Sequence, residues 1–439
     1  MTYKLVSEIG PINGIFDSPD CIYDIRIIIN FNNTSFLFPS NCVLRFSGGK
    51  LLNATTLIGQ STQIEAPAYQ IFDNITFLEG TWDVAFGYAE WFGATGSSVS
   101  AYVDDYQGLQ KAFDSPFDIK LLDKTYCTSN GLSINRCKSI CGIGNVRSKI
   151  WAMSSASITN LVSINADSVE LGHLELYGRP SNSSNAYTRS TSSRVTNIIA
   201  NNQCTSKLHL FDIVASCCVD TAIKLTTFMS TFERVVASYC KVGFHINGAE
   251  TASGTTTRIT SCFAMYAWHL GYNIEYLNYS SLECCAADFC GYNFSNKNVE
   301  LNNSYPYMFF GCDGISIISC GCEQCYNTMY MNCCRSFNIC SFMDWNNNQV
   351  ADRSLDINNR HHSKQFYIRN SRGILFDRCS ITFPNIQEPS SKQCMSFESS
   401  MNIGFNYCYI RNPSLTDNVI NISYCILTNS NITFNEGNT

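Results

Sequence analysis

The chain has 439 residues, 45% of them hydrophobic, an ordinary share that excludes wholesale disorder. Charged residues reach only 15%, too few to coat long solvated helices. A formal net charge of −6 leaves no basic footprint for nucleic acid. No apolar run approaches the ~18 residues of a membrane span, so insertion into a membrane is not expected either.

The opening MTYKLVSEIGPINGIF lacks the basic and long apolar regions of a secretory leader. The 24 cysteines are therefore expected to be reduced, packing as small hydrophobes rather than as bridges. Residues 1–40 show few period signals and read as an irregular cap or attachment segment. Residues 41–103 read as introductory strands and coils, in short alternating runs split by Gly, Asn and Thr. The stretch 104–114, DDYQGLQKAFD, predicts a short helix with Asp104 or Asp105 as its cap. Leu109, Ala112 and Phe113 form its apolar face. It opens a main body over 104–345, followed by less regular coils over 346–439. The polar run 179–194 reads as a surface excursion.

From about residue 204 the chain repeats itself. IVASCC, VVASYC, RITSC, SLECC, SIISC and FNICSF share an apolar lead followed by Ser or Cys. Anchors at Val214, Val236, Ile259, Leu282, Ile317 and Ile339 are spaced by 22, 23, 23, 35 and 22 residues. Three residues after each anchor stand Cys217, Tyr239, Cys262, Cys285, Cys320 and Phe342, with Cys379, Cys408 and Cys425 continuing the column. The long interval implies a dozen or so inserted residues, assigned to NKNVELNNSYPYMFFGCDG. The units lack leucine-rich spacing and are too short and β-rich for helical repeats. What remains is an all-β parallel solenoid of roughly 22-residue coils, stacking like residues at ~4.8 Å.

EWFGATGSSVSAYVDDYQGLQKAF, followed by a short strand and CGIGN, resembles the entry segment of pectate-lyase-like right-handed parallel β-helices, whose short helix caps the solenoid. The coils TRITSCFAMYAWHLGYNIEYLNYSSLECCAADFCGYNF and SIISCGCEQCYNTMYM resemble those of bacteriophage tail-spike and tail-fibre proteins, and residues 41–82 resemble proteins of phages infecting gut Bacteroidetes. The resemblance implies a virion tail adhesin made in the bacterial host cytoplasm. It further implies a homotrimer that binds a host cell-surface glycan, sometimes cleaves it, and meets other tail proteins through its N-terminal segment. It implies no cofactor.

Six residues after the anchors stand Asp220, Val242, Met265, Asp288, Glu323 and Trp345. Asp288 and Glu323, within the matching frames CAADFC and CGCEQC, are expected neighbours on adjacent coils. Two adjacent carboxyl groups suit glycosidic hydrolysis; equally, they can sit at a turn holding backbone amides. The aromatics Tyr305, Tyr307 and Phe309, with Phe310, are expected to wall a sugar groove beside them. Tyr266, Trp268, Tyr272, Tyr276 and Tyr279 crowd one coil, so some must face outward, toward sugar or another subunit. Tyr272 and Tyr276 are the expected sugar contacts. Glu283 and Asp313 are reserve acids, and Arg258 the tempting cation for a lyase route. Periodicity accounts for Cys320, Cys322 and Cys325 without a metal, and His361-His362 reads as a polar loop. Gly142-Ile-Gly144 lacks the third glycine of a dinucleotide loop.

Overall fold

The computed structural model describes residues 1–97, 102–155, 157–178, 191–250, 254–291, 304–325, 327–345, 366–382, 395–411, 425–428 and 432–434. His361-His362, residues 179–190 and residues 292–303 lie outside these.

Coiling begins at the second residue. Thr2 pairs with Cys21, Ile22 with Val43 and Val43 with Gln63, all in parallel register, so coils of 19 to 21 residues already stack here. Residues 1–40, expected to be an irregular cap, thus supply strands Thr2–Val6, Cys21–Ile25 and Ile28–Leu37 to a six-stranded parallel sheet. Their shorter, polar-interrupted period hides the repeat, because Asn32 and Asn33 break the strand Ile28–Leu37 with left-handed residues and Asn41 takes a left-handed turn before the next strand.

A cluster of aromatic rings joins this first stack to the main body. Phe117 meets Trp82 at 5.8 Å and Trp91 at 6.2 Å between centroids. The predicted helix is Tyr106–Asp114, burying Leu109, Ala112 and Phe113 as expected. Asp105 occupies the N-cap position without capping the helix. Its Oδ1 instead accepts from Thr95 N at 2.7 Å and Gly96 N at 3.2 Å, clamping the preceding turn. Gly108 lies so close to that turn that a Cβ there would fall 2.3 Å from Ala94 N. At the other end Lys138, buried, donates to the carbonyls of Ala112, Phe113 and Ser115 at 2.7 to 3.2 Å. Burial pulls its amine down to about 8.

From Gly87–Tyr88, just ahead of the helix, onward, 32 strands among the described residues form one continuous parallel wrap, a parallel β-helix. One inward column runs Ile119, Ile140, Leu171, Leu210, Phe232, Ile259, Leu282, Ile317, Ile339, Phe376 and Phe405, each paired with the next. All are buried. The anchors Ile259, Leu282, Ile317 and Ile339 belong here. Val214 and Val236 pair with each other and then with Phe263, one wall further on. The sequence period misplaces them because 27 residues separate Phe232 from Ile259.

Each coil has three short walls, and the corners between them follow one local rule. A strand ends, one residue takes a left-handed backbone, and the next side chain turns inward. At the first corner Ser261, Cys284, Ser319 and Arg378 have φ of 52°, preceding buried Cys262, Cys285, Cys320 and Cys379. The inward thiol donates to carbonyls the corner frees: Cys285 Sγ lies 3.3 Å from Ile259 O and 3.4 Å from Glu283 O. A second corner buries Cys218, Cys240, Cys290 and Cys325, and a third Cys312 and Cys334. Cys217 and Tyr239 occupy left-handed positions at the second corner, outside the column assigned to them. Cys425 pairs with Met395 inside a wall, so it also leaves that column. The 22 cysteines whose side chains are described are all free thiols.

Candidate functional site

Strands Ala286–Asp288, Gly321–Glu323 and Met343–Trp345 stack in register on the second wall. Their alternation sends Ala287, Cys322 and Asp344 inward and leaves Asp288, Glu323 and Trp345 on the outer face. Asp288 pairs with Met265 on one side and Glu323 on the other, and Glu323 pairs with Trp345. The expected carboxylate neighbours are therefore adjacent. Val242 and Asp220 drop out of the column, since Ser216 and Ser238 precede Met265.

Asp288 is half-buried, and its carboxyl is pushed up to about 6 by burial first and by the charge of Glu323 second. A fraction of Asp288 thus keeps its proton near neutrality beside a second acid, the division of labour an acid and a nucleophile or base require. Trp345 is 49% exposed at the end of the column. Along the adjoining corner Tyr239, Tyr266 and Phe289 stack at 5.1 and 5.0 Å with nearly parallel rings, all in left-handed positions. The alternation of strand and turn projects these rings beside the acids. The sequence signal that finds them is position: each directly follows an outward column member, Ser238, Met265 or Asp288.

The expected sugar wall is not one. Tyr272, Tyr307 and Phe309 are fully buried in the solenoid interior. Tyr272 stacks on Phe244 at 4.8 Å and on Tyr307 at 5.0 Å. The two tyrosine hydroxyls cross the interior, Tyr272 donating to Cys262 O at 2.8 Å and Tyr307 to Gly321 O at 2.8 Å. A buried tyrosine so satisfied is a core residue, not a ligand contact. Tyr305 is also buried, against Val242 and Leu270 in a small cluster outside the main core. The strand Tyr307–Phe310 is regular and pairs with Tyr272–Glu275, so the extra residues precede it. Tyr276 alone of the five stays toward the surface, half-buried, edge-on to Phe310 at 5.4 Å.

Glu283 is committed to Arg258, whose guanidinium lies 2.5 Å away and holds the carboxyl below its ordinary range. The reserve acid and the tempting cation are thus partners of each other across neighbouring coils. Asp313 lies elsewhere, bridged through its backbone to Asn278 and Arg335. Among the described residues no group of His, Cys, Asp and Glu is arranged to hold a metal ion.

The molecule thus defines itself as a parallel β-helix carrying an acid pair and aromatic side chains on its outer face. Solved structures of this fold resemble it. A tailspike of Acinetobacter phage vb_AbaP_AS12 has a TM-score of 0.58 at 15% identity, covering 80% of this chain and 63% of that one. The Dettilon tailspike protein gives 0.52 at 11% identity, covering 81% and 67%. A DFA-IIIase from Arthrobacter chlorophenolicus gives 0.50 at 10% identity, covering 81% and 92%. The chain therefore spans less than two thirds of the length of the first tailspike. No protein-family model matches, and no curated protein does. At these identities the likeness establishes the fold.

Proposed function

We propose that the chain is a tailspike-type virion adhesin that grips a host surface polysaccharide along the second wall. The observation that carries this is the outward column Met265–Asp288–Glu323–Trp345, flanked by the Tyr239–Tyr266–Phe289 stack. Aromatic faces suit the apolar faces of pyranose rings, and carboxylates accept from their hydroxyls. The N-terminal coils are read as the end that meets other tail proteins, and the protein as a homotrimer.

A second reading, an active depolymerase, is favoured by one observation: the raised Asp288 beside Glu323. Neighbouring coils are ~4.8 Å apart, near the ~5–5.5 Å that separates acid and nucleophile in retaining glycosidases. In that reading Asp288 protonates the leaving oxygen and Glu323 attacks the anomeric carbon. Water then releases the glycosyl ester with Asp288 acting as base. Incubating the purified protein with host capsular polysaccharide and sizing the products tests both readings. Binding without shortening fits the adhesin; shortened chains that vanish with Asp288→Asn or Glu323→Gln establish the enzyme. No binding at all leaves a purely structural spike subunit and overturns the proposal.

A further inference from the structure

The stacking of rungs is interrupted where the first sheet meets the main wrap. Strand Phe72–Asp83 is the last of the six-stranded sheet and, among the described residues, pairs only with Lys50–Glu65. The next strand, Gly87–Tyr88, already belongs to the other sheet. In place of a further rung, the end of the helix Tyr106–Asp114 and the turn at Asn135 and Arg136 stand against Phe72 to Leu78, and a cavity of about 320 Å³ lies between them. That volume falls within the ~300–1,000 Å³ of small-molecule sites, which favour such joints. Phe72, Ile75, Leu78 and Phe92, all buried, form its floor. Phe77 lines it too, with its side chain 54% exposed.

The charged lining consists of Lys111, Asp114 and Arg136. The ion pairs nearest in sequence belong to Lys124, Arg147 and Lys149, and among the described residues none involves Lys111 or Arg136. Two cations therefore face one acid. Their long stems lie readily on an apolar floor while the charged heads stay in water. An occupant must bury an apolar body and carry negative charge at one end. A sugar would set hydroxyls against phenylalanine and leucine with nothing to bond, which is costly. An inorganic anion would leave the floor wet, and a cation would meet Lys111 and Arg136 with its own sign. A carboxylate on an unbranched alkyl chain meets both conditions, its chain between the floor and Phe77 and its head between the two cations.

We propose that the joint between the two stacks is a binding site for a single-chain fatty carboxylate. The site is independent of the polysaccharide reading and of Asp288 and Glu323. Calorimetric titration of the full chain with decanoate, up to roughly 10 mM, where weak sites are still read, shows saturable binding. Decyltrimethylammonium, the same chain with a positive head, binds at least about tenfold more weakly. Phe77→Ala, a change at an exposed ring, weakens decanoate binding about fivefold. Arg136→Gln weakens it about threefold and Asp114→Asn strengthens it about twofold, opposite directions that a loss of folding would not give. No saturable binding of decanoate by the wild type overturns the proposal, as does equal affinity for the ammonium or an affinity unmoved by Phe77→Ala. Co-sedimentation with phosphatidylglycerol vesicles without binding of decanoate would put a bilayer on this face and overturn it equally.

Discussion

Asp288 is a residue that stability alone would not keep. Its pKa of about 6 in the folded chain exceeds the ~3.9 of an unfolded aspartate. Between those values the folded state holds the extra proton, so stability falls as pH rises through about 6. Asp288→Asn should therefore melt above the wild type at about pH 8, with the gap closing toward about pH 4, where the parent is neutral too. Thermal scans at the two pH values check this; a gap that stays constant would mean that burial and Glu323 do not raise the group. The sequence reached this pair because a column six residues after Leu282 and Ile317 is a matter of register, and register survives any insertion that leaves the strands paired. Composition misled for Tyr272, Tyr307 and Phe309. Crowded aromatics on one coil suggest an outer face, but interior stacking along the axis takes large rings from successive coils, Phe244 on Tyr272 and Tyr272 on Tyr307.

Among elements, the corners carry the most local information. Where the third corner continues past Cys312 and Cys334, its inward residues become Ser371 and Ser400. Ser371 Oγ donates to Arg369 O at 2.7 Å, as Cys312 Sγ approaches Phe310 O at 3.4 Å. The position asks for a small donor, not for sulfur. Cys312→Ser should thus cost within about 1 kcal/mol, whereas Cys312→Val, which fills the space without donating, should cost about 1–3 kcal/mol. Denaturant melts of the two variants decide it, and equal losses would refute the donor argument. The helix offers the opposite lesson about glycine. Gly→Ala in a helix ordinarily gains about 1 kcal/mol. At Gly108 the new methyl would meet Ala94 N at 2.3 Å, so we expect a loss of about 1–3 kcal/mol instead. The helix itself was legible from its apolar face of Leu109, Ala112 and Phe113. Asp105 was not legible as a clamp on Thr95 and Gly96, because its partners precede the helix across a turn with no periodic signal.

For the whole molecule, the thiols are a collective property. Burial pushes Cys218, Cys262, Cys325 and Cys334 well up. Unfolded thiols ionise above about pH 8.5 while these stay protonated, so the folded chain should lose stability as pH rises past that value. Alkylation of the native protein should reach the exposed Cys137, Cys204, Cys284 and Cys333 first, and all 24 only after denaturation. Early labelling of Cys285 or Cys334, the buried partners of adjacent pairs, would contradict the corner geometry. If the proposed trimer holds, light scattering should give three times 49.1 kDa; a value near one chain rules it out. Much of the architecture was readable from residues 204–345, where coils are regular. The coiling of residues 1–40 escaped notice because their polar turns mask a shorter repeat.

The register of the inward column is indifferent to how much chain lies between its members. Ile317 and Ile339 are 22 residues apart, while Leu171 and Leu210 are 39 and Ile339 and Phe376 are 37, yet all pair alike. Lengthening a connection costs little, about 0.6 kcal/mol per doubling, while the rungs keep their spacing. The solenoid therefore behaves as a rack with standard mounts, on which segments of differing length and composition can be exchanged one at a time. For a protein facing a variable partner surface, diversification can proceed by swapping what hangs between rungs, with the rungs themselves inherited unchanged.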